Sequence, residues 1–126
     1  MKIVSWNVNG IMACKRKGFQ KAVANSKADV FCCQEVRAWC SLNLPDYHQY
    51  WYLGERPGYS GTLVLAKEEP LSVEYGMGIK KFDDEGRLIK IEYEKYYIIN
   101  VYVPNSQSGQ ERQDYRAEWD EAFYDW

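Results

Sequence analysis

Apolar positions switch between a two-residue and a helical period along the chain, and the changeovers divide it into strands, helices and turns. Lys2 to Trp6 is short and β-branched, which predicts a buried strand, and the turn-forming cluster Asn7-Val8-Asn9-Gly10 ends it. From Ile11 to about Asn25, Phe19, Ala22 and Val23 recur at helical spacing after the basic entry Lys15-Arg16-Lys17, although Gly18 weakens the first turn. Asp29 to Gln34 is a continuous apolar run ending in polar residues, the pattern of a strand covered on both faces. Strand, helix, strand in that order predicts a right-handed parallel unit.

Beyond the loop containing Pro45, Tyr47 to Leu53 is aromatic and reads as a strand. Thr62 to Ala66 and Leu71 to Tyr75 follow as strands separated by Pro70, after the punctuation Gly58-Tyr59-Ser60-Gly61. Leu88 to Glu94 alternates and Tyr96 to Val103 is rich in Ile, Val and Tyr, so the short Glu94-Lys95 connection predicts a hairpin. Pro104 to Gly109 is a loop, and from Glu111 onward Tyr115, Trp119, Ala122 and Phe123 form one helical stripe. Mixed strands with a few helices predict an α/β layer architecture.

A length of 126 residues suits one compact domain over 1–126, and eleven Tyr with five Trp supply a core that excludes disorder. The net charge of −2 gives no general attraction to polyanions, so a nucleic-acid role needs a local basic patch or a bridging metal ion. No apolar run approaches the roughly eighteen residues of a membrane span, and the expectation is a soluble, unexported, cytoplasmic protein with no membrane partner. Cys14, Cys32, Cys33 and Cys40 lack Cys-x-x-Cys spacing and have only His48 for company, so they read as reduced thiols.

Two predicted strands carry polar groups at their carboxyl ends: Asn7 and Asn9 after the first, Gln34-Glu35 after the second. Ligands of open α/β sheets bind outside such strand ends, and carboxylate and amide oxygens are hard donors suited to Mg²⁺ or Mn²⁺. The plain alternative is that the asparagines only make the turn and Glu35 only caps a helix or faces water.

Ser5-Trp6-Asn7-Val8-Asn9-Gly10, Gln34-Glu35-Val36-Arg37, Gly58-Tyr59-Ser60-Gly61, Glu85-Gly86-Arg87 and Asn100-Val101-Tyr102-Val103-Pro104-Asn105 are spread over the whole chain. In order and separation they resemble the motifs of the exonuclease III / apurinic-apyrimidinic endonuclease family. The helix from Glu111 through Arg112 and Tyr115 to Phe123 resembles the one that follows there. The resemblance implies one half, the amino-terminal one, of a four-layer α/β/β/α sandwich, contributing one mixed β-sheet with flanking helices. It implies that Glu35 is a direct metal ligand for Mg²⁺ or Mn²⁺, with Asn9 near the metal, and that Asn7 and Tyr102 are catalytic. It further implies that Tyr59, Arg87 and Asn105 face DNA, and that the substrate is double-stranded DNA with abasic sites, cut in base-excision repair.

The family's later Asp-x-Asn and Ser-Asp-His motifs do not occur in this chain, and His48, in an aromatic strand, does not match the missing histidine. Met12 stands where the family commonly has Arg, Ser106 to Ser108 lacks an Arg found in some relatives, and the stretch around Trp39 to Leu44 is shortened. One sheet alone would expose an apolar face, so self-association into a homodimer or pairing with a complementary carboxy-terminal half is expected. Three readings stand side by side. One is the repair nuclease lineage; another is a catalytically inactive truncated or engineered half-domain that folds by self-association; the third is a phosphatase of the same superfamily.

Overall fold

The computed structural model describes residues 1–105 and 109–126. Its elements run β1 (Ile3–Asn7), α1 (Ile11–Arg16), α2 (Phe19–Ser26), β2 (Val30–Gln34), β3 (His48–Tyr52), β4 (Thr62–Ala66), β5 (Ser72–Tyr75), β6 (Leu88–Glu92), β7 (Tyr97–Val101) and α3 (Gln110–Asp125). The single helix expected from Ile11 is two. Gly18 adopts the left-handed conformation at φ 100°, and the break at Lys17-Gly18 lets Phe19 and Val23 turn fully into the core.

Four strands form a mixed sheet in the order β1-β2-β4-β3, with β1 and β2 parallel and Asn7 opposite Gln34 at their tips. A second, antiparallel sheet has the order β5-β6-β7, its hairpin closed by the Tyr93 N–H donating to the Tyr96 carbonyl at 2.9 Å. The mixed sheet with flanking helices is thus present as expected. Periodicity did not separate the last three strands into a sheet of their own.

The strand pleat explains the layering. In β2, Phe31 and Cys33 point toward α1 and α2, while Val30 and Cys32 point the other way, against Ile89, Ile91 and Ile98 of the second sheet. Each fully buried aliphatic side chain here contributes about 1.5–3 kcal/mol. On the far side of the second sheet, Leu88 meets Trp119, with Tyr115, Ala122 and Phe123 of α3 alongside. The layers are therefore helix, sheet, sheet, helix within this chain. The expectation that one sheet would leave an apolar face open is corrected, because the second sheet covers it.

The expected burial of β1 is also corrected. Val4 and Trp6 face the helices, Trp6 lying 5.7 Å from the Phe19 ring, but Ile3 is 52% exposed and Trp6 38%. The second sheet is only three strands wide and stacks over β2 and β4, and among the described residues its strands make no comparable contact with β1. On the same flank, β7 is the edge of the second sheet, with Tyr97 and Ile99 exposed. One buried polar residue joins the sheets: Asn100, whose Nδ2 donates to the Cys33 and Leu63 carbonyls while its Oδ1 accepts from Gln34 Nε2 at 2.8 Å. Such a satisfied amide fixes the register between layers that apolar contacts alone would allow to slide.

Candidate active site

Segments far apart in sequence are stitched into one rim by backbone hydrogen bonds. Gly10 N–H donates to the Glu35 carbonyl (2.8 Å), Arg37 N–H to Ser60 (2.8 Å), Gly61 N–H to Glu85 (3.3 Å) and Tyr102 N–H to Arg87 (2.8 Å). Each link joins one motif to the next, so the turn after β1, the segment after β2, the Gly58-to-Gly61 loop, the Glu85-Gly86-Arg87 turn and the end of β7 are contiguous. Gly86 sits at φ 62°, where a Cβ would lie 2.5 Å from the Tyr52 carbonyl oxygen, so only glycine lets the chain cross there.

Among the described residues, five other than glycine have positive φ, and four of them lie on this rim: Asn9, Glu35, Arg37 and Ser60. A residue so placed costs about 1–3 kcal/mol, and such strain concentrates where side-chain aim matters more than local comfort. For Asn9 the cost is eased, since Asn tolerates this conformation and its N–H donates to Asn7 Oδ1 at 3.0 Å.

Glu35 is the centre of the polar set. Its Oε1 accepts from Tyr102 Oη at 2.5 Å, which joins the segment after β2 to the segment after β7. Its Oε2 accepts from Arg37 Nη2 at 2.7 Å, and the same nitrogen donates to Asn9 Oδ1 at 2.7 Å. Burial, followed by the hydrogen bond to Glu35 and that carboxylate's charge, pushes the Tyr102 phenol up to about 12. Tyr102 is therefore a neutral donor throughout the physiological range.

Behind Glu35 lies a cavity of about 260 Å³ lined by Tyr59, Ser60, Arg87, Tyr102 and Arg112 among others. Arg87 is 2% exposed, its guanidinium donating to Glu85 (3.2 Å), the Tyr102 carbonyl (3.0 Å) and Tyr59 Oη (3.2 Å) and lying over the Tyr102 ring. Arg112, from the first turns of α3, donates to Tyr59 Oη at 2.7 Å, to both Glu85 oxygens and to the Asn105 carbonyl. Burial pushes the Glu85 carboxyl up, but the Arg87 charge and hydrogen bonds from Arg87 and Arg112 outweigh it, and it settles below its ordinary value.

The structure brings Glu35 and Tyr102 into direct contact, links Asn9 to Glu35 through Arg37, and holds Asn7 beside them through the turn. Tyr59 and Asn105 border the cavity. Arg87, expected at the surface, is instead beneath it, because its donors are occupied within the protein; Arg112, at 21% side-chain exposure, stands further out. The expectation for Ser106 to Ser108 lies outside the described residues. Arg37, Ser60, Glu85 and Arg112 went without a role in the sequence reading. The two acidic-basic neighbours, Glu35 with Arg37 and Glu85 with Arg87, were the available signal.

The donor set suits a hard cation. Glu35 Oε2 and Asn9 Oδ1 already converge on one cationic nitrogen, and an anionic and an amide oxygen aimed at one positive centre is the arrangement Mg²⁺ or Mn²⁺ takes up with water in its remaining positions. Among the described residues no group of three or more His, Cys, Asp or Glu side chains is gathered to hold a metal. A cation here would rest on a single carboxylate with amide and water oxygens.

Comparison with known proteins places this arrangement in context. The family model described as Endonuclease/Exonuclease/phosphatase family matches residues 4–126. The chain is 46% identical over 127 residues to an exodeoxyribonuclease of Bacillus subtilis (strain 168), covering 98% of this chain and 50% of that protein. It is 41% identical over 130 residues to a DNA-(apurinic or apyrimidinic site) endonuclease of Dictyostelium discoideum, covering 98% of this chain and 36% of that protein. Among solved structures, an AP endonuclease from Archaeoglobus fulgidus superposes with a TM-score of 0.84 at 27% identity, over 98% of this chain and 49% of the other. The chain spans about half the length of these relatives or less.

Proposed function

The chain belongs to the endonuclease/exonuclease/phosphatase family, and from that membership we propose that it is the amino-terminal half of a DNA-repair phosphodiesterase that cuts at abasic sites and removes 3′-terminal nucleotides. The observation that carries the reading is the 2.5 Å hydrogen bond from Tyr102 to Glu35, set between a cation-suited oxygen pair and an arginine-lined cavity. The relatives named exodeoxyribonuclease and DNA-(apurinic or apyrimidinic site) endonuclease support the DNA-repair branch over a phosphatase of other esters.

The family is generally divalent-metal dependent, and in this chain Glu35 with Asn9 would hold Mg²⁺ or Mn²⁺. When bound, the ion supplies positive charge against the negative charge that grows on a phosphate under attack. The chain's own residues do the rest. Asn7 fixes the turn that aims Asn9, and Tyr102, neutral to high pH, is a phenolic donor beside the carboxylate. Arg112 and Tyr59, with Asn105 on the rim, offer donors to neighbouring phosphates of double-stranded DNA, and Arg87 holds Tyr59 and Tyr102 in place from below. Preference for an abasic nucleotide follows from the lower cost of turning out a sugar that has no base to unstack. Residence in the cytoplasm is part of the same proposal.

A second reading, a non-catalytic half-domain that pairs with another copy of itself, is favoured by the open edges of β1 and β7 on one flank. One experiment separates the two. The chain is incubated with a duplex carrying one abasic site, in Mg²⁺ or in EDTA, alone and with a polypeptide supplying the half that the Bacillus relative has in addition. Chelator-sensitive incision in the complemented sample is expected. No incision in any sample, with a stable dimer of the chain in sedimentation, overturns the enzyme in favour of the half-domain.

A further inference from the structure

We propose that the Ser60 hydroxyl is a ligand-binding group, donating a hydrogen bond to a phosphate-ester oxygen held in the cavity between Tyr59, Tyr102 and Arg112. The inference rests on the reading just given and adds to it a residue whose side chain has no task in the free protein.

Three observations converge. Ser60 is 3% exposed, yet its Oγ has no hydrogen-bond partner among the described residues. Leaving a buried hydroxyl unpaired forfeits hydration without return, and native proteins seldom keep one unless something else completes it. Its backbone sits at φ 59°, a conformation that glycine or asparagine adopts more readily than serine, so the backbone does not favour serine here. Ser60 also lines the same 260 Å³ cavity as Arg87 and Arg112, and its own carbonyl is already taken by the Arg37 N–H at 2.8 Å. The hydroxyl shares this cavity with the Tyr59 phenol, the partly exposed Arg112 guanidinium and the Glu35 carboxylate that would hold the cation, a setting in which a neutral donor suits a phosphate-ester oxygen. Arg87, its donors taken within the protein, shapes the wall.

Ser60→Ala removes only the hydroxyl. The probe is a fluorescein-labelled duplex containing one tetrahydrofuran abasic analogue, titrated by anisotropy in Mg²⁺, with urea denaturation of each protein in parallel. Affinity is expected to fall about tenfold to a hundredfold, the loss of one hydrogen bond to an anionic acceptor, while the urea midpoint holds or rises because an unsatisfied polar atom has gone. Equal affinity in wild type and variant overturns the inference and leaves the functional reading intact. A fall in midpoint, or failure of the variant to fold, overturns it by making the hydroxyl structural. No binding by the wild-type chain sinks the functional reading, and the inference with it.

Discussion

Glu85→Gln tests the internal scaffold of the cavity. The Glu85 carboxylate, 14% exposed, accepts from Arg87 Nε at 3.2 Å and from Arg112 Nη2 at 3.1 and 3.2 Å, so one negative charge faces two guanidinium groups. Removing one member of a buried ion pair costs about 3–5 kcal/mol, because the partner is left charged and unhydrated. Arg87, at 2% exposure, meets that condition, whereas Arg112 is partly exposed and can be rehydrated. Glutamine also keeps one acceptor oxygen, so the expected loss is reduced to about 2–3 kcal/mol, a large share of a small domain's total stability. At roughly 1–3 kcal/mol per molar urea, the midpoint at pH 7 should fall by about 0.7–3 M. The sign of the pH dependence follows from the lowered carboxyl. Its stabilisation is present above the ordinary value of 4.5 and is lost as the pH falls through the folded-state value, so the two proteins should converge in acid. A difference below about 0.5 kcal/mol at pH 7, or one that does not change in acid, would refute the idea that this carboxylate holds the arginines.

Other substitutions probe neighbouring parts of the same design. Arg37→Ala should tighten Mn²⁺ binding by about fivefold in calorimetry, because the cation no longer displaces a guanidinium from Glu35 and Asn9, an exposed pair whose strength is about 1 kcal/mol. Tyr102→Phe should cost about 1–2 kcal/mol at pH 7 by urea denaturation, through loss of a hydrogen bond to a carboxylate. Since the Tyr102 phenol is raised from 10 to about 12, its share of stability is intact below pH 10 and lost as the pH rises through 12; absorbance at alkaline pH should accordingly lose one late-titrating tyrosine in the variant. Gly86→Ala should lower stability by at least about 2 kcal/mol in thermal unfolding, as its Cβ would meet three backbone atoms of the Tyr52-to-Gly54 segment within 2.8 Å.

Much of the fold was legible because local patterns agreed with it. The run at β2 lacks alternation since both of its faces are covered, with Cys32 and Cys33 buried in opposite layers. Other features depend on partners distant in sequence. The apolar character of Lys2 to Trp6 carries no information about whether a second sheet reaches over it, so an edge strand was read as a buried one. Nor does the alternation of Leu88 to Glu92 say which sheet the strand joins. The site divides the same way. Strand-tip logic pointed to the Asn7 turn and Glu35 as groups that could converge, and the motif resemblance added Tyr102. The depth of Arg87, the reach of Arg112 from α3 and the unpartnered Ser60 hydroxyl arise from three-dimensional closure. Gly61 and Gly86 hint at close backbone crossings but do not say what crosses.

The central claim, that the Asn7 turn, Glu35 and Tyr102 form one cation-holding centre, is tested most directly by titrating Mn²⁺ into the ¹⁵N-labelled chain and following amide line broadening. Paramagnetic broadening should begin at Asn7 to Gly10, Glu35 to Arg37 and Tyr102, and Glu35→Gln should remove it at the same Mn²⁺ concentration. Broadening that starts elsewhere, or that persists unchanged once the Glu35 carboxylate has been replaced, would contradict the account.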